Sequence, residues 1–458
     1  MILFKSCDGN LLYQYLAALA CLLNIVSNGM QYGWPTTALP KLLGNETYIH
    51  ISDDQGSWLV VITLTGSCVG ALLVGTTVDY IGRKRTIILT SLPFFFSWIL
   101  TALTKSVVIL YIARFIAGIA DGLIFTPVSM YIAEMSNPKI RGRLASAVVS
   151  FWIFGTLLEN ISGIYLSIKT AALLSSILPI LAALTMWCFP ESPYYLLMKG
   201  RRDDAREALI KFQRTPDVED ELRRLSEAVK EQSQNGGKFL DLFTVKSNRK
   251  AALIMVILRG AQQFSGVTAI MFYAQQIFIE AESTISSELS TILYFSVKLL
   301  ISIFCSGVVD RTGRRPLLFI SLIGASTALF VEGTFFYVKL RTDIDTKPFS
   351  FVPVVGLISY VVIFSLGMQS IPLIILGELF PTNVKAFAMS SSDIYFNIVA
   401  SIATKFFQIM KDSYGMFVPF YTFGCICLSS FVLIYLMVPE TKGKTLEDIQ
   451  SNLKQNNH

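Results

Sequence analysis

Apolar blocks of about twenty residues follow one another along almost the whole chain, and they constrain the fold more than any other feature. A helix of that length crosses the hydrocarbon core of a bilayer. Of the 458 residues, 53% are hydrophobic and only 15% are charged, whereas a soluble domain carries about a quarter charged residues. The pattern predicts an all-α membrane protein with twelve transmembrane helices, at 11–33, 57–78, 86–104, 107–133, 142–167, 171–189, 250–279, 286–309, 315–338, 350–377, 386–410 and 415–438.

A short polar motif between two apolar blocks occurs twice, about half the chain apart. Both copies, 79–84 and 310–315, have an acid followed three residues later by Gly-Arg and a further basic residue. Two further pairs of segments recur at a similar spacing: Glu134 and Arg141 with Glu378 and Lys385, and Pro190-Glu191-Ser192 with Pro439-Glu440-Thr441. Three recurrences in the same order indicate that the chain contains two copies of one unit. Parallel halves of this kind in an apolar sequence are typical of transporters.

The repeat divides the chain into four parts. We predict an N-terminal six-helix bundle at 1–191, charged linker helices at 192–249, a C-terminal six-helix bundle at 250–438 and a tail at 439–458. Lysines and arginines fall in the short loops of one side, which should be cytoplasmic. Both termini are then inside, and we expect a plasma-membrane protein. Asn45 begins a glycosylation sequon on the predicted outer side.

Composition and spacing exclude several other classes of protein. The net charge is +6, but the basic residues cluster in short loops, so no nucleic-acid partner is expected. The seven cysteines lie mostly inside apolar runs, without the spacing of a metal site. We find no nucleotide loop, metal cluster or nucleophile elbow. We therefore expect no enzyme, no catalytic residue and no cofactor, only a small-molecule substrate and the lipid bilayer, with no obligate protein partner evident.

Charged residues at the predicted helix ends indicate a cytoplasmic network. Glycine permits the tight turn, and arginine makes forked contacts to carboxylates such as those of Glu134 and Glu378. Symmetric pairs would hold the ends of the two bundles together in one state and break when the bundles rock apart; alternatively, they only set topology. The predicted members are Asp79, Gly82, Arg83, Lys84, Glu134, Arg141, Glu191, Asp310, Gly313, Arg314, Arg315, Glu378, Lys385 and Glu440.

Motifs spread over almost the whole chain match one family. They are 79–84, Arg114-Phe115 with Gly118 and Gly122, Glu134 with Arg141-Gly142, 190–193, 262–266, 310–315, 377–381 and 439–446. On these residues the sequence resembles the sugar-porter branch of the major facilitator superfamily. The stretches 33–42 and 55–58 point to its arthropod facilitated trehalose and glucose transporters. The resemblance implies two six-helix bundles and sugar transport by alternating access, and it adds Arg114 to the charge network.

A sugar site needs amide side chains and aromatic surfaces, because a sugar presents hydroxyls around weakly apolar faces. The seventh predicted helix supplies Gln262 and Gln263. The resemblance implies that these glutamines contact the sugar and that Phe272 and Tyr273 close the outer gate. The alternative is that the glutamines only join helices. Further predicted substrate-binding residues are Gln31, Thr268, Lys298, Gln369 and Asn397.

Lys298 stands where the resemblance implies an amide. Twelve residues at a 1.5 Å rise put it about 18 Å from the charged end, near mid-membrane, where a lysine is a functional-site hypothesis. Glu159 and Asp393 are the expected partners. Either an internal salt bridge replaces an amide network, or the site takes an acidic or unusual solute. Other family site positions are also substituted, by Thr268, Val149, Leu373, Asn397 and Tyr194.

The expected mode of transport follows from helix 1. Proton-driven members of the resembled family carry an aspartate there, whereas the matching residue is Gln31 and the helix has no acid. We therefore predict facilitated diffusion of a sugar, trehalose or a hexose such as glucose. Two alternatives stay open. One is a proton-coupled or anion-tolerant symporter, motivated by Lys298 and the intramembrane acids. The other is a non-transporting sugar sensor, motivated by the substituted site positions.

Overall fold

The computed structural model describes residues 9–44, 49–215, 217–234 and 240–440, without side chains at 9–10, 231–234, 306–311, 382–383 and 386. The sequon at Asn45 and the tail from Thr441 onward lie outside this part of the chain.

The first half of the chain forms long helices that begin at clear capping signals. Ser52 and Gln55 form a capping box at the start of the second helix, and the Asn137 side chain caps the fifth helix, with Pro138 in its first turn. The predicted sixth span is interrupted at Ser176. The helices are α1 Gly9–Leu43, α2 Asp53–Ile81, α3 Arg83–Leu103, α4 Val107–Met135, α5 Pro138–Tyr165, α6 Ile168–Ser175 and α7 Ile177–Trp187.

Short helices connect the two halves and lie against the first of them. Leu209 and Phe212 on the apolar face of the second short helix are buried, and Gln14 Nε2 donates to the Phe212 carbonyl at 3.1 Å. This linker is therefore attached to the start of α1. Its helices are α8 Pro193–Met198, α9 Arg202–Gln213, α10 Glu219–Gln234 and α11 Asp241–Thr244.

The second half repeats the pattern, with two of its spans broken. The sequence predicts single helices at 250–279 and 350–377, but the first breaks at Ser265-Gly266 and the second at 367–370. Gly266 has φ +84° and a built Cβ would lie 2.3 Å from Phe423, so only glycine fits this break. The helices are α12 Lys246–Phe264, α13 Val267–Ala281, α14 Ser287–Thr312, α15 Arg314–Arg341, α16 Val352–Leu366, α17 Ile371–Leu379, α18 Thr382–Tyr414 and α19 Phe417–Met437, with a 3-10 turn at Lys347–Phe349.

In the described part of the chain, eleven helical segments are long and apolar enough to cross a membrane, with α6–α7, α12–α13 and α16–α17 each counted once. The twelfth expected span corresponds to α18, which has the length but carries polar residues such as Asp393 and Lys405. The two halves pack together through α1 on α13, α2 on α18 and α5 on α14.

Candidate functional site

The first copy of the repeated motif closes on itself through a glycine turn. Gly82 has φ +108°, which reverses the chain between α2 and α3. Arg83 is buried and its Nε donates to Glu134 at 3.1 Å. The backbone N–H of Lys84 donates to Glu191 Oε1 at 2.9 Å. One carboxylate thus binds the arginine, and the other binds a backbone N–H group at the N-terminus of α3.

The second copy has the same geometry. Gly313 has φ +100°, and Arg314 pairs with Glu378 at 3.0 Å. The backbone N–H groups of Arg314 and Arg315 donate to the two oxygens of Glu440, at 3.2 and 3.0 Å. The two copies of the sequence motif therefore form equivalent hydrogen bonds. The side chain of Asp310 is outside the described part.

The network differs in two respects from the expectation that it bridges the bundles. Arg83 pairs with Glu134, and Arg314 with Glu378, each inside its own half. The cations at the starts of α5 and α18 bind carbonyl oxygens instead of these acids: Arg141 donates to Ser136 at 3.1 Å and Lys385 to Gly377 at 2.7 Å. These cations therefore stabilise helix ends. Nearby, burial and then the Glu134 carboxylate raise the pKa of Tyr194.

The structure moves Arg114 out of the charge network. It lies near the opposite end of α4 from Glu134, because twenty helical residues span about 30 Å. Its guanidinium donates to Gln31 Oε1 and to the Gln31 carbonyl, both at 2.7 Å, and to Thr63 at 3.2 Å. It lies over the Trp34 ring at 4.9 Å. Arg114 therefore joins α4 to α1 and α2 by hydrogen bonds in the interior of the first half.

Gln262 joins the two helix breaks of the second half. Its Nε2 donates to the carbonyls of Met368 and Gln369, at 2.9 and 3.1 Å. Its Oε1 accepts from Arg259 at 3.0 Å, and Arg259 also pairs with Asp393 at 2.6 Å. Sequence reasoning missed Arg259, although a lysine or arginine inside a predicted span is itself a signal.

Gln263 has a different environment from its neighbour. It is fully buried, its Oε1 accepts from Thr268 at 2.7 Å, and its Nε2 has no partner among the described residues. Among the other predicted binding residues, Asn397 donates to Ser67 at 3.1 Å, across the two halves, and Gln369 Oε1 accepts from Ser365 at 2.9 Å. The Nε2 group of Gln263 is therefore free to donate a hydrogen bond to a hydroxyl oxygen of a solute.

The predicted gate aromatics occupy two environments. Phe272 stacks on Tyr32 of α1 with centroids 5.7 Å apart, so it lies between the halves. Tyr273 stacks on Phe407 of α18 at 5.2 Å, inside the second half. Beside them, Thr36 donates to the Met271 carbonyl at 2.9 Å. The α1–α13 contact is thus closed by a ring pair and a hydrogen bond.

Ion pairs also cross between the halves, at the end of α2 opposite Gly82. Lys405 of α18 binds Asp54 and, at 2.7 Å, Ser57. Lys411 lies 3.8 Å from Asp53. We call Asp53, Asp54, Lys405 and Lys411 the cross-half cluster. The structure is therefore closed at this end.

Removing the cross-half cluster should open this end more often. The two acids are more than half exposed, so each pair contributes about 0.2–1 kcal/mol. Two such pairs amount to about 0.4–2 kcal/mol, so we expect Lys405→Gln with Lys411→Gln to raise the population of the open form about two- to thirtyfold. The measurement is the distance between spin labels at the exposed Val108 and Ile409. Lys339→Gln is the matched control, because its partner Glu282 belongs to the same half; an equal shift in both variants would contradict the prediction.

The predicted partners of Lys298 are wrong. Glu159 accepts hydrogen bonds from Ser175 at 2.7 Å and from Ser162 at 3.5 Å. Asp393 pairs with Arg259. Lys298 Nζ instead lies 3.4 Å from the Met271 sulfur and 5.7 Å from the centre of the Trp152 ring. The internal salt bridge expected for this lysine is not formed.

Two bundles of long apolar helices that meet around buried amides and broken helices define the class of a multi-pass membrane protein. The chain belongs to the family described as Sugar (and other) transporter, whose model matches residues 16–453. Members of this family are transporters, and the all-α fold is that of the major facilitator superfamily.

Curated relatives match most of the chain. The chain is 34% identical over 444 residues to the facilitated trehalose transporter Tret1 of Anopheles gambiae. The alignment covers 96% of this chain and 56% of that protein. The protein of the same name from Apis mellifera ligustica is 32% identical, with 95% and 87% covered. The chain thus spans little more than half the length of some relatives and most of others.

Solved structures share the fold. The inward-open xylose transporter XylE from E. coli superposes with a TM-score of 0.79 at 21% identity, covering 96% of this chain and 99% of that one. The proton:xylose symporter XylE bound to 6-bromo-6-deoxy-D-glucose gives a TM-score of 0.75 at 22% identity, with the same coverage.

Proposed function

We propose that this protein carries a sugar, trehalose or a hexose such as glucose, across a membrane by facilitated diffusion. Membership of the sugar transporter family supports the substrate class, and relatives named as facilitated trehalose transporters support the disaccharide. The buried amides of α12 and the aromatic rings between the halves suit a polyhydroxylated solute.

The observation that carries the facilitative mode is the Gln31–Arg114 contact. A buried arginine in a membrane needs an acceptor, and a carboxylate at that position would titrate and couple transport to protons. Here the acceptor is a neutral amide, at 2.7 Å. The hydrogen bonds that hold this arginine therefore involve no carboxylate.

The mechanism we propose is alternating access between two rigid halves. The cross-half cluster and the Tyr32–Phe272 stack close one end in this structure. Sugar entering from the charged-loop end meets Gln263, whose free Nε2 binds a hydroxyl. The halves then rock, the stack separates and the first end opens. Gln31, Gln262, Thr268, Lys298, Gln369 and Asn397 complete the proposed binding set, with Phe272 and Tyr273 as the outer gate.

The proposed topology follows the positive-inside rule. The charged-loop end, both termini and the linker 192–249 face the cytoplasm of a plasma-membrane protein, between bundles 1–191 and 250–438 and before the tail 439–458. The sugar and the bilayer are the proposed partners, with no nucleic acid and no obligate protein.

The test is uptake of labelled glucose and trehalose by cells expressing the chain, at acidic and at neutral outside pH. Saturable uptake that is independent of pH supports the proposal. Uptake that follows the proton gradient would assign a symporter instead. Sugar binding without uptake, by protein that has reached the membrane, would assign a sensor.

A further inference from the structure

Lys298 is a buried cation between the two halves. It is 3% exposed on α14, with Met271 of α13 on one side and Trp152 of α5 on another. A thioether is a weak acceptor, and an aromatic face attracts a cation without neutralising it. Among the residues with described side chains, no carboxylate lies within ion-pair distance of its Nζ.

The acids Glu159 and Asp393 do not pair with Lys298, although one oxygen of Glu159 has no hydrogen-bond partner, so the part of the chain that the structure describes does not complete this site. Glu159 points into the first half toward Ser175, and Asp393 is held by Arg259. A lysine in the interior of a membrane protein is costly unless it is paired. An anion that pairs with the Lys298 amine would therefore have to come from a bound solute.

Further polar atoms without a hydrogen-bond partner lie on the helices that pack around Lys298. Trp152 Nε1 and Tyr294 Oη are buried without a hydrogen-bond partner among the described residues, and so is Gln275 Oε1. Tyr294 precedes Lys298 by one turn of α14, and Gln275 follows Met271 by one turn of α13. The Phe278–Tyr294 ring contact, at 6.5 Å, shows that these two faces oppose each other. The set offers donors for carboxylate oxygens and an acceptor for a hydroxyl.

We propose that Lys298 anchors a subsite for the carboxylate of a sugar acid, so that the preferred solute is a singly charged sugar such as a uronate or an aldonate. A single cation matches one negative charge, whereas a phosphate ester would keep an uncompensated one. This inference rests on the proposed sugar transport and narrows its substrate. Tyr32, which contacts Trp152 at 5.3 Å, links the subsite to the closed α1–α13 contact.

The test compares labelled glucuronate, gluconate, glucose and glucose 6-phosphate as substrates of the full chain in liposomes at one fixed pH. We expect kcat/KM for glucuronate or gluconate to exceed that for glucose at least tenfold. Lys298→Gln should abolish this preference, and Lys298→Arg should retain it. Lys339→Gln, at the end of α15, is the matched control and should behave as wild type.

A second readout separates the subsite from transport itself. Glucuronate should raise the melting temperature of the purified wild type but not that of Lys298→Gln. Glucose flux with neither transport of nor inhibition by sugar acids would overturn the subsite and leave the proposed function standing. Stabilisation by glucuronate without any flux would support the subsite and remove the transport function. Neither flux nor stabilisation would overturn both.

Discussion

Gln263→Ala is expected to lower kcat/KM for sugar transport by about tenfold or more, with a smaller loss of melting temperature than Gln262→Ala. The side chain is fully buried and its Nε2 has no partner among the described residues, so its donor is free for the substrate. Losing one hydrogen bond to a bound hydroxyl costs about 1–3 kcal/mol, and each 1.4 kcal/mol is about a tenfold change. Uptake kinetics and thermal unfolding of the purified variant measure the two effects separately.

Gln262 is the internal comparison for this prediction. Both ends of its amide are bound to the protein, to Arg259 and to two carbonyls at the break between α16 and α17. Gln262→Ala should therefore lower the melting temperature and transport together. Gln263→Met keeps the approximate size of the side chain and removes the free donor, so it should resemble Gln263→Ala. Wild-type kinetics in both Gln263 variants would remove this residue from the binding site.

Gly118→Val is expected to prevent stable folding. At this residue α2 and α4 touch backbone to backbone, and a built Cβ would lie 2.0 Å from the Thr63 carbonyl oxygen. Overpacking costs about 1–3 kcal/mol when side chains can move, and we expect more than about 3 kcal/mol here because the neighbour is backbone. The readouts are the amount of protein delivered to the membrane and its melting temperature in detergent.

Gly75→Val on α2 is the matched control. A Cβ built at Gly75 meets no atom within 4 Å, so this variant should be delivered and melt as wild type. Equal losses in both variants would mean that valine harms any position of these helices. Wild-type behaviour of Gly118→Val would contradict the close approach of α2 and α4.

The repeated charged turns could be predicted from the sequence because their chemistry is local. A glycine with positive φ, an arginine and an acid at the end of a neighbouring helix form the same contacts around Gly82 and Gly313. The partners of Arg141 and Lys385 could not be predicted in this way. Helix-end carbonyls compete with carboxylates for a cation, and the sequence does not show which lies nearer.

The interior of the site depends on contacts between distant helices, so the sequence revealed less of it. The break at 367–370 was not predicted, although Gly367 and Pro372 are signals of a helix break. Lys298 was recognised as unusual, but its expected partner Asp393 is bound by Arg259 from another helix. Arg114 could have been placed correctly, because helical rise alone separates it from Glu134 by about 30 Å.

Counterflow of labelled sugar in proteoliposomes tests the central claim most directly. The full chain is reconstituted without a proton gradient, the liposomes are loaded with unlabelled trehalose or glucose, and a trace of the labelled sugar is added outside. A facilitative carrier exchanges one sugar for another, so we predict a transient accumulation of label that Gln263→Ala strongly reduces. Label that enters no faster than into protein-free liposomes, or only when a pH gradient is imposed, would contradict facilitated transport.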